Sequence, residues 1–233
     1  MTAALALLAA GICQAQVIKH VGNNDPTTEG WTHISTGGTV SPGTETTPPN
    51  VGTNYWQIDT GGGEFNLYKY VLTTAQLSTP WQAIGRWRLL SMSGVSQLEN
   101  DSLIVEDGTS GYFLGLEPTG LYYLGPGFTD NPLITFPLDT THYYQIEMDK
   151  NLVTSKVNVF LDGAFVGFLS PNGSGGPNEV VADSNKSIAW GDATTTSTSV
   201  TERWNYAAFD IPEPGALWLL SLGGLLLWRR KQF

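Results

Sequence analysis

The feature that most constrains the fold of this chain is the strand-like pattern between residues 30 and 210. Short runs with apolar residues at alternate positions are separated by segments rich in Gly, Pro, Asn and Asp. No part of this region keeps the 3.6-residue apolar period of an amphipathic helix. The chain has 27 Gly and only 14% charged residues, which also favours short strands over a helical bundle. We therefore predict an all-β domain of antiparallel strands.

The clearest local signal is a β-hairpin within residues 156–168. Asp162-Gly163 supplies the two positive-φ residues that a two-residue turn requires. Such a turn pairs Leu161 with Ala164, and the alternation of side chains then divides the hairpin into two faces. The expected core face consists of Val157, Val159, Leu161, Ala164, Val166 and Phe168. The expected outward face consists of Asn158, Phe160, Phe165 and Gly167.

Other segments alternate in the same way. Residues 143–148 predict a half-buried strand in which Tyr143 and Gln145 face away from the core. Near the end of the body, alternation predicts that Trp204 and Tyr206 share one strand face. Aromatic residues on such faces are explained by core packing more readily than by ligand binding.

The N-terminal end reads as a secretory signal. Residues 3–12 form an apolar run, and Cys13-Gln14-Ala15 follows with small residues at its first and third positions. This pattern predicts a signal over residues 1–15, with cleavage by signal peptidase before Gln16. Lipid attachment to Cys13 and an uncleaved anchor are the alternatives. Cys13 is the one cysteine of the chain, so the mature domain has no disulfide bond.

The C-terminal end contains a second apolar run. Pro212-Glu213-Pro214 begins it, and Arg229-Arg230-Lys231 ends it. As a helix, residues 214–228 span about 22 Å, which is short for a hydrocarbon core of roughly 30 Å. The run is nevertheless apolar on all faces, and its terminal cations fit the positive-inside rule, so a short transmembrane helix is favoured over a core helix.

This order of features resembles the PEP-CTERM sorting signal of bacteria that make exopolysaccharide, and it defines a tail over residues 211–233. The resemblance implies recognition by an exosortase and cleavage near Pro212-Glu213-Pro214. It also implies that the protein is held briefly in the inner membrane by its tail. From there it would pass to the cell surface or the extracellular matrix.

The body, residues 16–210, resembles the LamG-like jelly roll, also called the concanavalin A-like fold. The residues that carry this resemblance are His142–Asp149, the Asp162-Gly163 hairpin, Ser187–Asp192 and Arg203–Phe209. It implies a single antiparallel β-sandwich, and an unrelated β-sandwich is the structural alternative. Lectins, hydrolases and spacer modules all use such folds, so the resemblance does not decide the function.

No catalytic set is complete in the sequence. Endoglucanases of the resembled fold carry two Glu and one Asp on one strand face, but Leu103 and Ile104 stand where Glu99-Asn100-Asp101 would need its second Glu. Glu147 and Asp149 form an equally incomplete set. No nucleophile elbow and no His-Glu-x-x-His zinc motif occurs. We therefore expect no catalytic residue, with a glycoside-active enzyme as the alternative.

Composition narrows the partners and cofactors. The formal net charge of −10 becomes more negative once the cationic tail is removed, which disfavours nucleic acid. Related folds often carry a structural calcium ion, and one is compatible with this chain. No dense Asp-x-Asp loop marks such a site, and Glu106-Asp107-Gly108 is expected to be a solvated turn. We assign no cofactor and no metal ligand.

A neutral glycan or exopolysaccharide is the partner that the sequence favours. The candidate glycan face consists of Tyr143, Gln145, Asn158, Phe160 and Phe165. Aromatic rings can stack on the C–H face of a sugar while amides bond its hydroxyl groups. A loop that covers this face is the competing interpretation. The expected role is a structural or glycan-binding component of the bacterial surface or biofilm, with a protein-binding adhesin as a further alternative.

Overall fold

The computed structural model describes residues 14–93, 102–193 and 198–212. Within these ranges the chain is nearly all β-strand, which confirms the predicted fold class. The only helical turns described are a 3₁₀ turn at Pro26–Glu29 and α1 at Thr74–Leu77. The strands are β1 (Gln14–Val21), β2 (Thr32–Ser35), β3 (Thr39–Thr44), β4 (Asn54–Thr60), β5 (Asn66–Val71), β6 (Gln82–Ser93), β7 (Leu103–Asp107), β8 (Ser110–Glu117), β9 (Gly120–Gly125), β10 (Thr129–Thr135), β11 (Tyr144–Lys150), β12 (Val157–Leu161), β13 (Ala164–Leu169), β14 (Val181–Ala182), β15 (Lys186–Asp192) and β16 (Ser199–Pro212).

The strands form two antiparallel sheets that together make a sandwich. In the first sheet the order is β13-β12-β11-β6-β16-β4-β3, and β1 also pairs with β16. In the second sheet the order is β10-β9-β8-β7-β15-β5-β2, and β14 also pairs with β8. Alternate residues of each strand point between the sheets, where apolar burial stabilises the fold.

Aromatic rings join the two sheets. Trp87 of β6 stacks on Trp204 of β16, with ring centroids 4.4 Å apart. Trp190 of β15 in the second sheet lies 5.2 Å from Trp204, and Tyr68 of β5 stacks on Trp190 at 4.8 Å. All four residues are fully or almost fully buried, so these tryptophans belong to the core.

Strand β16 is bulged, which corrects one sequence prediction. The register against β6 shifts between Trp204 and Tyr206. Trp204, Ala207 and Phe209 are fully buried, whereas Tyr206 is only partly buried. The extra residue at Asn205 therefore moves Tyr206 to the outward face, and the prediction that Trp204 and Tyr206 share a face is wrong.

The β12–β13 hairpin has the predicted turn but not the full predicted register. Asp162 and Gly163 have φ values of 51° and 78°. Leu161 lies opposite Ala164 as expected, but the register shifts between Val159 and Phe160. Beyond this bulge Val159 pairs with Gly167, Asn158 with Phe168, and Val157 with Leu169. Phe168 therefore lies on the outward face with Asn158, and fully buried Leu169 takes the core position predicted for Phe168.

The first and last described strands lie side by side. Gln14 pairs with Pro212, Ala15 with Ile211, and Gln16 with Asp210. β16 therefore continues two residues past the predicted end of the body at Asp210. Likewise, β1 begins two residues before the predicted first residue of the mature chain, Gln16.

Candidate functional site

The candidate site is the outward face of the first sheet where β6, β11, β12 and β13 pair. Tyr144, Ile146 and Met148 of β11 are buried in the core. Because side chains alternate along a strand, Gln145, Glu147 and Asp149 point to the opposite face. Each of these three outward residues is partly exposed.

Two rows of side chains cross this face, and the first is largely apolar. Glu147 lies opposite Phe160 on β12 and opposite Ile84 on β6. Phe160 lies opposite Phe165, and their rings meet edge to face with centroids 5.7 Å apart. Phe165 is 58% exposed, so its ring is available to a ligand. This set is called the Phe160 row.

The second row is polar. Asp149 lies opposite Asn158 on β12 and opposite Gln82 on β6, and Gln82 lies opposite Asp210 on β16. Phe168 ends the row on β13, where it faces Asn158. This set is called the Asp149 row. Neighbouring strands lie about 4.8 Å apart, so four strand spacings extend the row over roughly 19 Å.

Amide groups hold the Glu147 carboxylate in place. The Gln145 Nε2 atom donates to Glu147 Oε1 at 2.5 Å, and the Gln82 Nε2 atom donates to Glu147 Oε2 at 3.4 Å. In the Asp149 row, the side-chain amide of Asn158 makes no hydrogen bond to another described residue. This amide is therefore available to a ligand.

Both aspartates of the Asp149 row have a spare hydrogen-bond acceptor. The Oδ1 atoms of Asp149 and Asp210 are buried, and neither has a hydrogen-bond partner among the described residues. Burial is the main cause that raises the pKa of Asp149, and the negative charge of Glu147 adds to this effect. Burial likewise raises the pKa of Asp210, while the charge of Lys19 opposes it.

A cavity adjoins the polar row. It has a volume of about 380 Å³ and is lined by Pro80, Asp149, Asn158 and residues 150–153. Polar groups at the wall of a concave pocket are typical of small-molecule binding sites.

The structure corrects the predicted position of Tyr143, which is only 3% exposed. Its hydroxyl donates to Glu45 Oε1 at 2.9 Å, and Arg88 lies over its ring. Glu45 also binds Arg88 and Arg203, at 3.3 and 2.8 Å. Burial, with the adjacent Glu45 carboxylate, raises the pKa of Tyr143. The segment that begins at Glu45 therefore covers Tyr143, which cannot contact a ligand on this face.

The other four predicted residues, Gln145, Asn158, Phe160 and Phe165, lie together on the outward face. Sequence reasoning missed Gln82, Asp210 and Phe168. Gln82 lies between the buried residues Trp81 and Ala83, so alternation along the strand turns it outward, but only the strand order brings it beside Asp149. Bulges decide the faces of Asp210 and Phe168, and no sequence signal marked them.

The predicted solvated turn at Glu106 is also wrong. Glu106 is 7% exposed, and it binds Lys69 at 3.0 Å and Asn185 at 3.1 Å as well as Ser187. These bonds and the Lys69 charge outweigh burial and lower the pKa of Glu106. No group of three or more His, Cys, Asp or Glu side chains within residues 14–93, 102–193 and 198–212 is placed to hold a metal ion.

The predicted terminal features lie mostly beyond the described part of the chain. Cys13, Glu213 and Pro214 are outside it, as are Arg229, Arg230 and Lys231. In the described part, no helix has the length and apolar character needed to cross a membrane.

Solved structures with a similar fold include a carbohydrate esterase and parts of two toxins. A carbohydrate esterase from the Shiga toxin-encoding bacteriophage phi24B matches with a TM-score of 0.63 at 10% identity, over 86% of this chain and all (100%) of that one. Botulinum neurotoxin type C matches with a TM-score of 0.50 at 11% identity, over 91% of this chain and 51% of that one. The binding domain of Paraclostridial Mosquitocidal Protein 1 matches with a TM-score of 0.53 at 10% identity, over 89% of this chain and 51% of that one. This chain therefore spans about half the length of the two toxin structures, and identities this low show the fold alone.

Sequence comparison adds a match at the C-terminal end. No curated protein matches the chain. Residues 210–231 match the PEP-CTERM protein-sorting motif, which confirms the resemblance of the tail. This motif implies export and sorting to the cell surface. The chain is therefore a β-sandwich protein that carries a PEP-CTERM protein-sorting motif.

Proposed function

We propose that this protein is a non-catalytic surface or matrix component that binds a neutral glycan on the outward face of its first sheet. Processing of the tail by an exosortase would deliver it there. The observation that carries the proposal is the half-exposed ring of Phe165 against Phe160, beside a row of amide and carboxylate groups.

The chemistry of the two rows supports a sugar ligand. An exposed phenyl ring offers an apolar surface to the C–H face of a pyranose. The Asn158 amide can donate to a sugar hydroxyl, and the partly exposed carboxylate of Glu147 can accept from one. Sugar hydroxyls are both donors and acceptors, so a mixed set of this kind matches them.

Charge favours a neutral glycan over an acidic one. Glu147, Asp149 and Asp210 lie on the face, and the cations near them are Arg86, Lys19 beside Asp210, and Lys156, whose Nζ lies 3.7 Å from the centroid of the Phe168 ring. The preference therefore rests on the net charge of the whole chain, which is −10 and would repel an anionic polysaccharide at low ionic strength.

Two structural neighbours are compatible with carbohydrate chemistry. One is a carbohydrate esterase, and the other is botulinum neurotoxin type C, which enters cells through interaction with two ganglioside molecules. Their sequence identities of 10% and 11% show a shared fold and carry no residue across to this chain, so the choice of a sugar ligand rests on the two rows of side chains.

The test is a binding measurement with the purified protein against neutral bacterial and plant glycans. Phe165→Ser should weaken binding by about tenfold or more, because it removes the ring on which the sugar would stack. A tenfold loss corresponds to about 1.4 kcal/mol of binding free energy. Phe128→Ser is the matched control, since Phe128 is 60% exposed but lies in the turn before β10 of the second sheet. Unchanged binding in both Phe165→Ser and Phe160→Ser, with wild-type melting temperatures, would reject this face as the glycan site.

An enzyme remains the second candidate because Glu147 and Asp149 lie side by side on one strand face. A hydrolase of this type would use two carboxylates as acid and nucleophile. Sugar release from β-glucans that disappears in Glu147→Gln would establish catalysis and would overturn the non-catalytic role. A protein ligand that binds this face in place of any glycan would favour the adhesin.

A further inference from the structure

We propose that the turn between β11 and β12, residues 151–156, contacts the surface of the bilayer that holds the chain's own C-terminal tail. The inference concerns the tail-anchored form and does not depend on glycan binding. It follows from where the two chain ends leave the sandwich and from two unusually exposed apolar side chains at the same end.

The end of the sandwich at Pro212 must lie close to the membrane whenever the tail is inserted. The apolar run begins at Gly215, only three residues after the last residue of β16. Three extended residues span at most about 11 Å. The N-terminal apolar run adjoins the same end, because Gln14 lies opposite Pro212. Both apolar segments therefore join the domain within about one strand spacing of each other.

The 151–156 turn lies at this same end. β11 and β16 both pair antiparallel with β6, so they run in the same direction on either side of it. Asp149 and Asp210 are level with each other because both lie opposite Gln82. The Lys150 amide donates to the Trp81 carbonyl at 2.9 Å, which continues the ladder by one residue. Lys150 is therefore level with Ile211, and the turn that follows extends as far as Pro212 or beyond it. Two strand spacings, about 10 Å, separate them sideways.

The turn carries two exposed apolar side chains and is held in one shape. Val153 is 96% exposed and Leu152 is 44% exposed. The Asn151 Oδ1 atom accepts from the amides of Val153 and Thr154 at 2.9 and 3.1 Å, which holds the turn in one shape. Such a turn in water would ordinarily present polar side chains. Beside a bilayer, the same two side chains can enter the boundary between headgroups and acyl chains.

A fluorescent label on single cysteines tests the contact. In the full chain, Cys13→Ser removes the native thiol, and Val153→Cys then gives one labelling site for an environment-sensitive dye. Ser93→Cys is the control, because Ser93 is exposed and lies at the opposite end of β6, 11 residues or roughly 36 Å from Gln82. Both variants are inserted through their tails into vesicles of phosphatidylcholine and phosphatidylglycerol.

The label at residue 153 should shift its emission to the blue and be quenched by a quencher attached to the lipid. The label at residue 93 should show neither effect. Equal, water-like emission at both positions would overturn the proposal, since the turn would then stand clear of the bilayer. Equal quenching at both positions would also overturn it, because the sandwich would then lie flat. Glycan binding is not measured, so neither result bears on the proposed function.

Discussion

Trp87 lies directly opposite Trp204 on neighbouring strands, and their stacked rings are inclined by only 10°. The space for this stack exists because position 85 has no side chain. A Cβ atom at Gly85 would come within 2.8 Å of the Trp87 ring and 3.0 Å of the Trp204 ring. Both rings are fully buried, so neither can move into solvent. Gly85 is thus a packing position in the centre of the first sheet.

Gly85→Ala should therefore destabilise the protein by about 1–3 kcal/mol, the usual cost of overfilling a packed core. Urea denaturation followed by tryptophan fluorescence measures this change. The substitution should also change the near-ultraviolet circular dichroism of the native state, because it disturbs the stacking of Trp87 on Trp204. A variant with wild-type stability and an unchanged spectrum would show that the rings can shift freely.

Glu202 predicts an unusual pH dependence of stability. It is fully buried between the sheets, and burial, with a smaller contribution from the charge of Asp192, raises its pKa from 4.5 to about 8. The unfolded chain therefore releases the proton at lower pH than the folded chain does. The stability that the protonated group provides is complete below pH 4.5 and is lost as the pH rises toward 8.

Glu202→Gln isolates this effect, because the amide has nearly the same shape and does not titrate. Between pH 5 and 8 the variant should gain stability relative to wild type by roughly 1 kcal/mol per pH unit. Urea denaturation of both proteins across this range gives the difference directly. A constant difference between them would mean that Glu202 keeps the same charge when folded and unfolded.

The sequence predicts those parts of the fold that depend on neighbours in the chain. The Asp162-Gly163 turn and the alternation along β11 are local, and both are found in the structure. The face of Tyr206 is different, because a single extra residue at the β16 bulge reverses it, and the pairing with β6 determines where that bulge lies.

The covered state of Tyr143 was equally beyond sequence reasoning. Its cover comes from Glu45, which is 98 residues away in the chain. Period-2 alternation separates the core face of a strand from the outward face, but it does not reveal which outward residues a distant segment buries. Four of the five predicted face residues lie in β11–β13, where the pattern is local. The exposure of the fifth residue, Tyr143, depends on its long-range contact with Glu45.

Glu45 should stabilise the segment that covers Tyr143. Its carboxylate accepts from Tyr143 and pairs with Arg88 and Arg203, and it is only 4% exposed. Glu45→Gln should cost about 2 kcal/mol, since hydrogen bonds to charged groups are worth more than neutral ones. It should also increase nitration of Tyr143, detected by mass spectrometry of the tryptic peptide. Unchanged stability and nitration would show that other contacts hold the cover.

The predicted signal can be tested at the first residue of the exported protein. Residues 3–12 form an apolar run, and small residues at Cys13 and Ala15 follow it, so the mature chain should begin at or near Gln16. N-terminal sequencing of protein recovered from outside the cell gives the answer. A lipid-modified Cys13 would replace this interpretation with the lipoprotein alternative.

The last prediction concerns Pro212 and Glu213 in the sorting motif. If this motif directs processing, Pro212→Ala combined with Glu213→Ala should leave the unprocessed chain in the inner membrane of a host that has an exosortase. Pro212 is the last residue of β16 and lies opposite Gln14. Pro137→Ala combined with Glu64→Ala is the matched control within the body, and it should be processed normally. Immunoblots of membrane and surface fractions distinguish the forms by the mass of the tail. Normal delivery of the motif variant would show that Pro212-Glu213-Pro214 is not what the sorting machinery recognises in this chain.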